Sequence, residues 1–259
     1  MIWLFDSWFW GLSTLKEFQK IMPEYDYIYL GDSLNVPYWD KPQDEILKLT
    51  EIWVRFLFES WAKIVILACN TATACTIRTL QQQIFPDKKI LGVTIPGAEK
   101  VHEINLKKVW VLATLNTVRL KAYRERVHIL NNKIIVQEIE APDLVPLIEK
   151  WEFNSLNFEN ILKNYLDKFD SDIEWIILGC THYSLIKDQI KNLSKKQIID
   201  PSHESALKFK TYLERHPEIK KTLSTKQKTT FYTTWDPTNF HQIWKKFIQN
   251  LNPQQIKKA

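Results

Sequence analysis

Two short segments of the sequence place a cysteine directly after an apolar run and follow it with polar side chains. They read "VILACNT" around Cys69 and "IILGCTHY" around Cys180. In α/β folds ligands bind beyond the carboxyl ends of strands, where a helix N-terminus attracts carboxylates and lowers the pKa of a thiol. Either cysteine could instead be a small buried hydrophobic residue. Two cysteines in the same setting favour a functional pair.

Two thiols on opposite sides of one bound molecule could exchange the proton of a carbon acid. One sulfur would remove the proton and the other would return one to the opposite face, so the stereocentre inverts without a cofactor. One sulfur must be ionised while the other is protonated, so each needs a neighbour that tunes its pKa. Asp6 and His182 are candidates, although His182 could equally be a core histidine bonded to backbone. Cys75 is expected to pack inside the following helix.

Six apolar runs, each ending in small or polar residues, are typical of buried parallel strands. They are "YDYIYLGDS", "KIVILACNT", "KKILGVT", "KKVWVLAT", "EWIILGCTH" and "KKQIIDP". Helical patterns such as "DEILKLTEIWVRFLFES" and "NFENILKNYLDKF" lie between them. This alternation predicts an α/β fold with parallel sheets.

A weak internal repeat suggests two similar units. "IWLFDS" at 2–7 is similar to "VWVLAT" at 109–114, and the two cysteine segments repeat at nearly the same offset. We expect two similar domains with mainly parallel sheets flanked by helices, and the active site in the cleft between them. The first domain would take residues 1–97 plus 206–259, and the second residues 98–205. "TTFYTTWDPTNFHQIWKKFI" would add a strand and a closing helix to the first domain.

Composition argues against several classes of function. The 259 residues carry a net charge of +5, but the basic residues do not cluster with stacking aromatics, so we expect no nucleic-acid partner. No run reaches the ~20 apolar residues of a membrane span, and the N-terminus does not resemble a signal peptide. We therefore expect a cytoplasmic protein without a membrane partner. The three cysteines lack CxxC spacing, which argues against a disulfide framework or a metal site.

Seven segments, taken together, resemble the glutamate racemases of the aspartate/glutamate racemase superfamily. They are "FDSWFWGLSTLKE", "PEYDYIYLGDSLNVPYWDK", "VILACNTATA", "GVTIPGA", "LVPLIE", "IILGCTHYSLI" and "IIDPS". The resemblance covers nearly the whole chain. It implies cofactor-independent interconversion of L- and D-glutamate, with Cys69 and Cys180 as the two proton donors and acceptors. It also implies a homodimer and a supply of D-glutamate for peptidoglycan.

The resemblance assigns roles to further residues. Asp6 and His182 would assist the thiols, and no residue is implied as a metal ligand. The substrate would be held by Asp6, Ser7, Tyr38, Trp39, Asn70, Thr71, Thr181 and His182, with Thr114, Thr117 and Glu149 near the site.

The chain departs from the family pattern in its tryptophans. It has 5 glycines and 11 tryptophans, and it reads "FDSWFWG" and "PYWDK" where such racemases read FDSG-x-GG and PYGDK. Trp61 lies between a helix and a strand, where a left-handed cap is expected. Either the tryptophans are real and the protein is a degraded relative, or they are UGA codons that some bacteria read as glycine.

Energetics favours glycine at most of these positions. A non-glycine residue in a left-handed conformation costs roughly 1–2 kcal/mol, and overpacking a core costs roughly 1–3 kcal/mol. Several such sites would consume a total stability of about 5–15 kcal/mol. For the literal sequence, we expect Trp8 and Trp39 to crowd the cleft while the fold persists.

Two alternative functions remain open from the sequence. The protein could be an aspartate racemase or another amino-acid racemase of the superfamily, because side-chain length preference is not encoded in these motifs. If the tryptophans are real, it could be an amino-acid-binding relative without turnover.

Overall fold

The computed structural model describes residues 1–238 and a strand at 255–258. Its strands within those ranges are β1 (Ile2–Asp6), β2 (Tyr27–Gly31), β3 (Ile64–Leu67), β4 (Lys89–Gly92), β5 (Lys108–Ala113), β6 (Ile135–Glu140), β7 (Trp175–Gly179), β8 (Gln197–Ile199), β9 (Thr229–Thr233) and β10 (Gln255–Lys258). The helices are α1 (Leu12–Ile21), α2 (Gln43–Glu59), α3 (Asn70–Thr79), α4 (Thr94–Glu103), α5 (Leu115–Arg119), α6 (Ala122–Leu130), α7 (Leu144–Glu149), α8 (Leu156–Leu166), α9 (Lys187–Ser194), α10 (Pro201–Arg215) and α11 (Pro217–Lys220). Short 3₁₀ segments lie at Phe9–Gly11 and Thr181–Ile186, and a π-helical turn at Leu80–Ile84 extends α3.

The first sheet is fully parallel, in the order β10-β9-β2-β1-β3-β4. Leu4 of β1 lies opposite Tyr29 of β2 on one side and Ile66 of β3 on the other. Every residue of β1, β2 and β3 is buried. Helices cover both faces of such a sheet, which is why these strands read as continuous apolar runs.

The second sheet is also parallel, in the order β6-β5-β7-β8. This order repeats the β2-β1-β3-β4 portion of the first sheet. The repeat in the sequence therefore pairs β1 with β5 and β3 with β7. The predicted α/β fold, with two similar parallel sheets flanked by helices, is confirmed.

One large hydrophobic cluster joins the two sheets. It contains Leu4 from the first sheet and Leu112 and Leu178 from the second, all buried. On the helical side, the rings of Phe18 in α1 and Phe209 in α10 lie 5.7 Å apart. The two lobes therefore share a core.

The six predicted strands and the two quoted helices are all present. The strand predicted in the C-terminal segment is β9, which pairs with β2 in the first sheet. The closing helix predicted after it, in the segment that ends at residue 248, lies outside the described residues from 239 onward. Within the ranges that the structure covers, no helix has the length and apolar character needed to cross a bilayer.

Candidate active site

Cys69 follows β3 and caps the N-terminus of α3. Its Sγ accepts a hydrogen bond from the backbone N–H of Ala72 at 3.3 Å. The Oγ of Ser7 lies 3.3 Å from the same sulfur. Ser7 directly follows β1, which pairs with β3, so the parallel register brings the two side chains to one edge of the sheet.

Cys180 occupies the equivalent place in the second sheet, directly after β7. Its Sγ lies 3.3 Å from Nδ1 of His182, and the opposite nitrogen, Nε2, lies 3.1 Å from Oε1 of Glu149. Glu149 is the last residue of α7. A continuous chain of sulfur, imidazole and carboxylate is therefore built behind Cys180, and His182 is not the backbone-bonded core histidine of the alternative interpretation.

Asp6 ends β1 and is only 1% exposed. Its Oδ1 accepts hydrogen bonds from the backbone N–H of Trp8 at 3.0 Å and from the Ser7 hydroxyl at 3.3 Å. Burial outweighs these bonds and raises the pKa of Asp6 to about 7. The Asp6 charge in turn raises the pKa of both Cys69 and Cys180. This carboxyl group is therefore within electrostatic reach of both sulfurs.

Burial dominates the acidity of both thiols. It raises the pKa of Cys69 to about 12, with Asp6 adding to the effect and the hydrogen bonds from Ser7 and Ala72 opposing it. It also raises the pKa of Cys180 well above its usual range. Neither thiol therefore has the lowered pKa that its place before a helix led us to expect. The bond from Ala72 acts in that direction, but desolvation of the thiolate is the larger effect.

The two sulfurs influence one another. A negative charge on Cys69 raises the pKa of Cys180. Ionisation of one thiol therefore favours the protonated form of the other, which is the pairing that a two-thiol proton exchange needs. Cys75 is buried in the hydrophobic cluster beside α3, as expected for a packing residue.

Polar side chains from both sheets meet near Cys69. The hydroxyl of Thr71 in α3 lies 2.9 Å from that of Thr114, which follows β5, and Thr114 lies 3.1 Å from Thr117. The Tyr123 hydroxyl donates a 2.6 Å hydrogen bond to Oδ1 of Asn70. The structure thus brings together four predicted site residues, Asn70, Thr71, Thr114 and Thr117. Tyr123, which bonds Asn70, was not predicted from the sequence.

A carboxylate at the end of β2 was missed by the sequence reasoning. Oδ2 of Asp32 accepts a 2.7 Å hydrogen bond from the Tyr38 hydroxyl, and the Asn35 amide donates to both of its oxygens at 2.8 and 3.0 Å. Asn116 donates to the backbone carbonyls of Tyr38 and Lys41 at 3.4 and 3.0 Å. The available signal was "GDS" at a strand end, the same arrangement as "FDS" after β1.

Thr181 is held by the first lobe. Its backbone carbonyl lies 3.3 Å from the hydroxyl of Ser13 in α1, which donates to it. A second link between α1 and the segment after β8 joins the hydroxyls of Thr14 and Ser202 at 2.8 Å. The position of the Cys180 segment therefore depends on α1.

Two indole rings pack against the imidazole of His182. The Trp39 ring lies edge-on at 5.7 Å between centroids, and the Trp10 ring lies tilted at 5.0 Å. Trp39 therefore crowds this part of the site as predicted, and Trp10 is the second indole on His182. Trp8, the other residue expected there, packs edge-on against Phe9 at 5.1 Å. Burial lowers the pKa of His182, while Glu149 opposes the shift.

The side chains at 1–238 contain no group of three or more His, Cys, Asp or Glu residues arranged to hold a metal ion.

Comparison with known proteins gives concordant matches. The family model described as Asp/Glu/Hydantoin racemase matches residues 16–207. A glutamate racemase of Lactobacillus helveticus is 33% identical over 250 residues, covering 95% of this chain and 92% of the relative.

Solved structures agree with the sequence relatives. A glutamate racemase isoform of Bacillus anthracis has a TM-score of 0.91 at 27% identity and covers 100% of this chain and 97% of its own. The glutamate racemase of Francisella tularensis, solved in complex with D-glutamate, has a TM-score of 0.90 at 32% identity, with 100% and 96% coverage.

The two parallel sheets share one strand order, and a cysteine follows the equivalent strands β3 and β7. Together with the racemases that match in sequence and structure, this fold places the protein among the isomerases, as a racemase. The chain belongs to the Asp/Glu/Hydantoin racemase family.

Proposed function

We propose that the protein is a cofactor-independent glutamate racemase that moves the α-proton of glutamate between Cys69 and Cys180. One observation carries this proposal: the two sulfurs follow equivalent strands, β3 and β7, of two sheets with the same strand order. The glutamate racemases to which the chain is similar support glutamate as the substrate.

The proposed reaction balances without a co-reactant. A thiolate on one side removes the α-proton: the C–H bond breaks, its electron pair stays on carbon, and an S–H bond forms. The opposing thiol then gives its proton to the other face of the carbon and becomes a thiolate. The enzyme finishes with the charge on the opposite sulfur and is ready for the reverse direction. The mutual influence of Cys69 and Cys180 fits this alternation.

The neighbours of each sulfur suggest how it is tuned. Because burial holds both thiols protonated, a positive charge close by is needed to favour a thiolate. The α-ammonium of a bound amino acid would supply that charge, and Asp6, whose charge acts on both thiols, would hold it. Ser7 would position the sulfur of Cys69, and the His182–Glu149 pair would move the proton of Cys180.

We assign the carboxylates of the substrate to the polar residues around Cys69. The N-terminus of α3 and the hydroxyl groups nearby suit a negative charge. The residues proposed to contact substrate are Asp6, Ser7, Tyr38, Asn70, Thr71, Thr114, Thr117, Glu149, Thr181 and His182, together with the backbone at position 39.

Further aspects of the assignment stay proposals. The product D-glutamate would serve peptidoglycan synthesis in the cytoplasm, and the enzyme would act as a homodimer. The first domain would take residues 1–97 plus 206–259, and the second residues 98–205. These divisions fall inside α4 and α10.

The assay that tests the function follows the optical rotation of L-glutamate, D-glutamate and L-aspartate without added cofactor and after treatment with a chelator. The assay is run on the protein with its 11 tryptophans and on a variant with glycine at all of these positions. We expect the glycine chain to bring both glutamate enantiomers to an equal mixture and to turn over aspartate much more slowly.

Variants of the three cysteines make this assay specific. Cys69→Ser should abolish racemisation, while Cys75→Ser, which changes an equally buried thiol in the same lobe, should retain it. A preference for aspartate would overturn the substrate assignment. Racemisation by Cys69→Ser would overturn the role of that sulfur.

A further inference from the structure

We propose that the functional protein carries glycine at positions 10, 39, 61 and 151. The rings of Trp10 and Trp39 fill a space beside His182, and with glycine at both positions the substrate would occupy that space. The part concerning positions 10 and 39 rests on the proposed function. The part concerning positions 61 and 151 rests on backbone geometry alone.

The residue after helix α2 has a left-handed backbone. Trp61 has a φ of 75°, and its N–H bonds the Phe58 carbonyl at 3.1 Å, while the N–H of Ala62 bonds the Leu57 carbonyl at 3.0 Å. This pair of bonds defines a Schellman motif, in which the left-handed position is usually glycine. Trp61 is 84% exposed, so burial of the indole does not offset the backbone strain.

Helix α7 ends in the same way. Trp151 has a φ of 62°, its N–H bonds the Ile148 carbonyl at 3.0 Å, and the N–H of Glu152 bonds the Leu147 carbonyl at 3.0 Å. A tryptophan at the glycine position of a Schellman motif thus occurs at two separate helix ends.

Helix α4 provides an internal comparison. It ends in the same bonding pattern, from Asn105 to the His102 carbonyl and from Leu106 to the Val101 carbonyl, at 3.0 and 3.1 Å. Its left-handed residue is Asn105, with a φ of 54°. Asparagine tolerates this conformation far better than a bulky residue does. Position 105 therefore carries a residue suited to this backbone, whereas positions 61 and 151 carry a bulky one.

The five glycines of the sequence do not occupy left-handed backbone positions. All five are described, and none has a positive φ. Gly11 shows a different requirement, because a Cβ there would lie 2.3 Å from Oδ2 of Asp6. The segment that precedes α1 therefore already needs glycine where its backbone approaches the site, one residue after Trp10.

The indoles at positions 10 and 39 lie where the proposed reaction needs room. Both rings lie against His182, at 5.0 and 5.7 Å, and His182 is the partner of the Cys180 sulfur. The Trp10 ring also lies 5.9 Å from that of Trp151. Glycine at positions 10 and 39 would remove two rings from the vicinity of the reacting sulfur.

Other tryptophans give independent support. The indole nitrogens of Trp8, Trp53 and Trp110 are buried without a hydrogen-bond partner in the described structure. A buried donor without an acceptor is destabilising, and native proteins rarely contain several. The chain has 5 glycines and 11 tryptophans. If the tryptophan positions were glycine, the glycine content would be close to the roughly 7% that is usual in proteins.

The first test is the gene and the intact mass of the protein from its natural host. We expect UGA at the tryptophan codons and a mass lower by the difference between tryptophan and glycine at each position. UGG codons at positions 61 and 151, with a mass that fits tryptophan, would overturn the proposal. Neither readout depends on enzyme activity.

The second test measures stability and binding in recombinant chains. Trp61→Gly and Trp151→Gly should each raise the melting temperature by about 2–4 °C, because each removes left-handed strain. The matched controls are Ser60→Gly and Lys150→Gly, adjacent residues with φ of −83° and −79°, which should give no gain. An equal gain from the controls, or a loss at 61 and 151, would contradict the backbone argument.

Adding Trp10→Gly and Trp39→Gly should then create calorimetrically detectable binding of D-glutamate. The protein from the natural host could contain glycine while the recombinant glycine variant binds no glutamate. That result would contradict glutamate as the substrate and leave the glycine assignment intact. If the chain with tryptophan binds and racemises glutamate as well as the glycine chain, the assignment at positions 10 and 39 fails.

Discussion

Cys180 and His182 lie side by side after β7, with Sγ and Nδ1 separated by 3.3 Å. The other nitrogen of the imidazole faces Glu149, 3.1 Å away. Cys69, after β3, has the hydroxyl of Ser7 at the same distance of 3.3 Å instead. The two sheets repeat one another, but the partners of the two sulfurs do not. Proton transfer at Cys69 and proton transfer at Cys180 should therefore respond to changes at different neighbouring residues.

Glu149→Gln should affect the half-reaction at Cys180 more than the one at Cys69. The amide no longer favours protonation of His182, because the carboxylate that raises its pKa is gone. We expect kcat to fall about a hundredfold, at the lower end of what general acid–base groups contribute. The measurement is the pH dependence of kcat from each enantiomer.

Glu152→Gln is the control for that change, since its side chain is exposed just beyond the same helix. It should leave both profiles unchanged. An equal loss at both sulfurs in Glu149→Gln would show that the carboxylate acts only on the fold.

Asp6→Asn should change how stability depends on pH. The pKa of Asp6 is raised from 3.8 to about 7 in the folded protein, so the folded state holds this proton more tightly than the unfolded chain. Stability from this group is full below pH ~4 and is lost as pH rises through about 7. The loss amounts to roughly 4 kcal/mol for this difference in pKa between the unfolded and folded states, and Asp6→Asn should remove it.

Urea unfolding at pH 4, 6 and 8 measures this effect. The stability of Asp6→Asn relative to the parent chain should rise with pH across that range. Asp87→Asn, a change at an exposed carboxylate, should show no such trend. A stability difference that is constant with pH would contradict the raised pKa.

Thr114→Val should weaken the contact between the lobes. The Thr114 hydroxyl is buried and joins Thr71 at 2.9 Å to Thr117 at 3.1 Å, so valine leaves two hydroxyl groups without that partner. We expect a loss of about 1–3 kcal/mol in the free energy of unfolding and a higher KM for glutamate. Thr211→Val, at an exposed helical position, serves as the control. Unchanged stability and KM would show that the hydroxyl bridge is dispensable.

The sequence predicted the sheets and the strand-end cysteines because parallel strands buried on both faces read as uninterrupted apolar runs. It missed β6, whose pattern is mostly half-buried or exposed, as suits the edge of the second sheet. Apolar periodicity is weak in such a strand.

Contacts between distant elements were harder to predict. Glu149 reaches His182 from α7, and no spacing rule connects these positions. The direction of the thiol pKa shifts also depends on how completely the two lobes and the indoles exclude water around Cys69 and Cys180. That property arises only from the packed structure. The left-handed position of Trp61 was predicted correctly, because a helix followed closely by a strand demands such a cap.

Solvent exchange by single-thiol variants tests the central claim most directly. In heavy water, Cys69→Ser and Cys180→Ser should each fail to racemise glutamate. Each should catalyse exchange of the α-proton in only one enantiomer, and the two variants should favour opposite enantiomers. Exchange of both enantiomers by either variant, or of the same enantiomer by both, would contradict an arrangement in which the sulfurs act on opposite faces of one substrate.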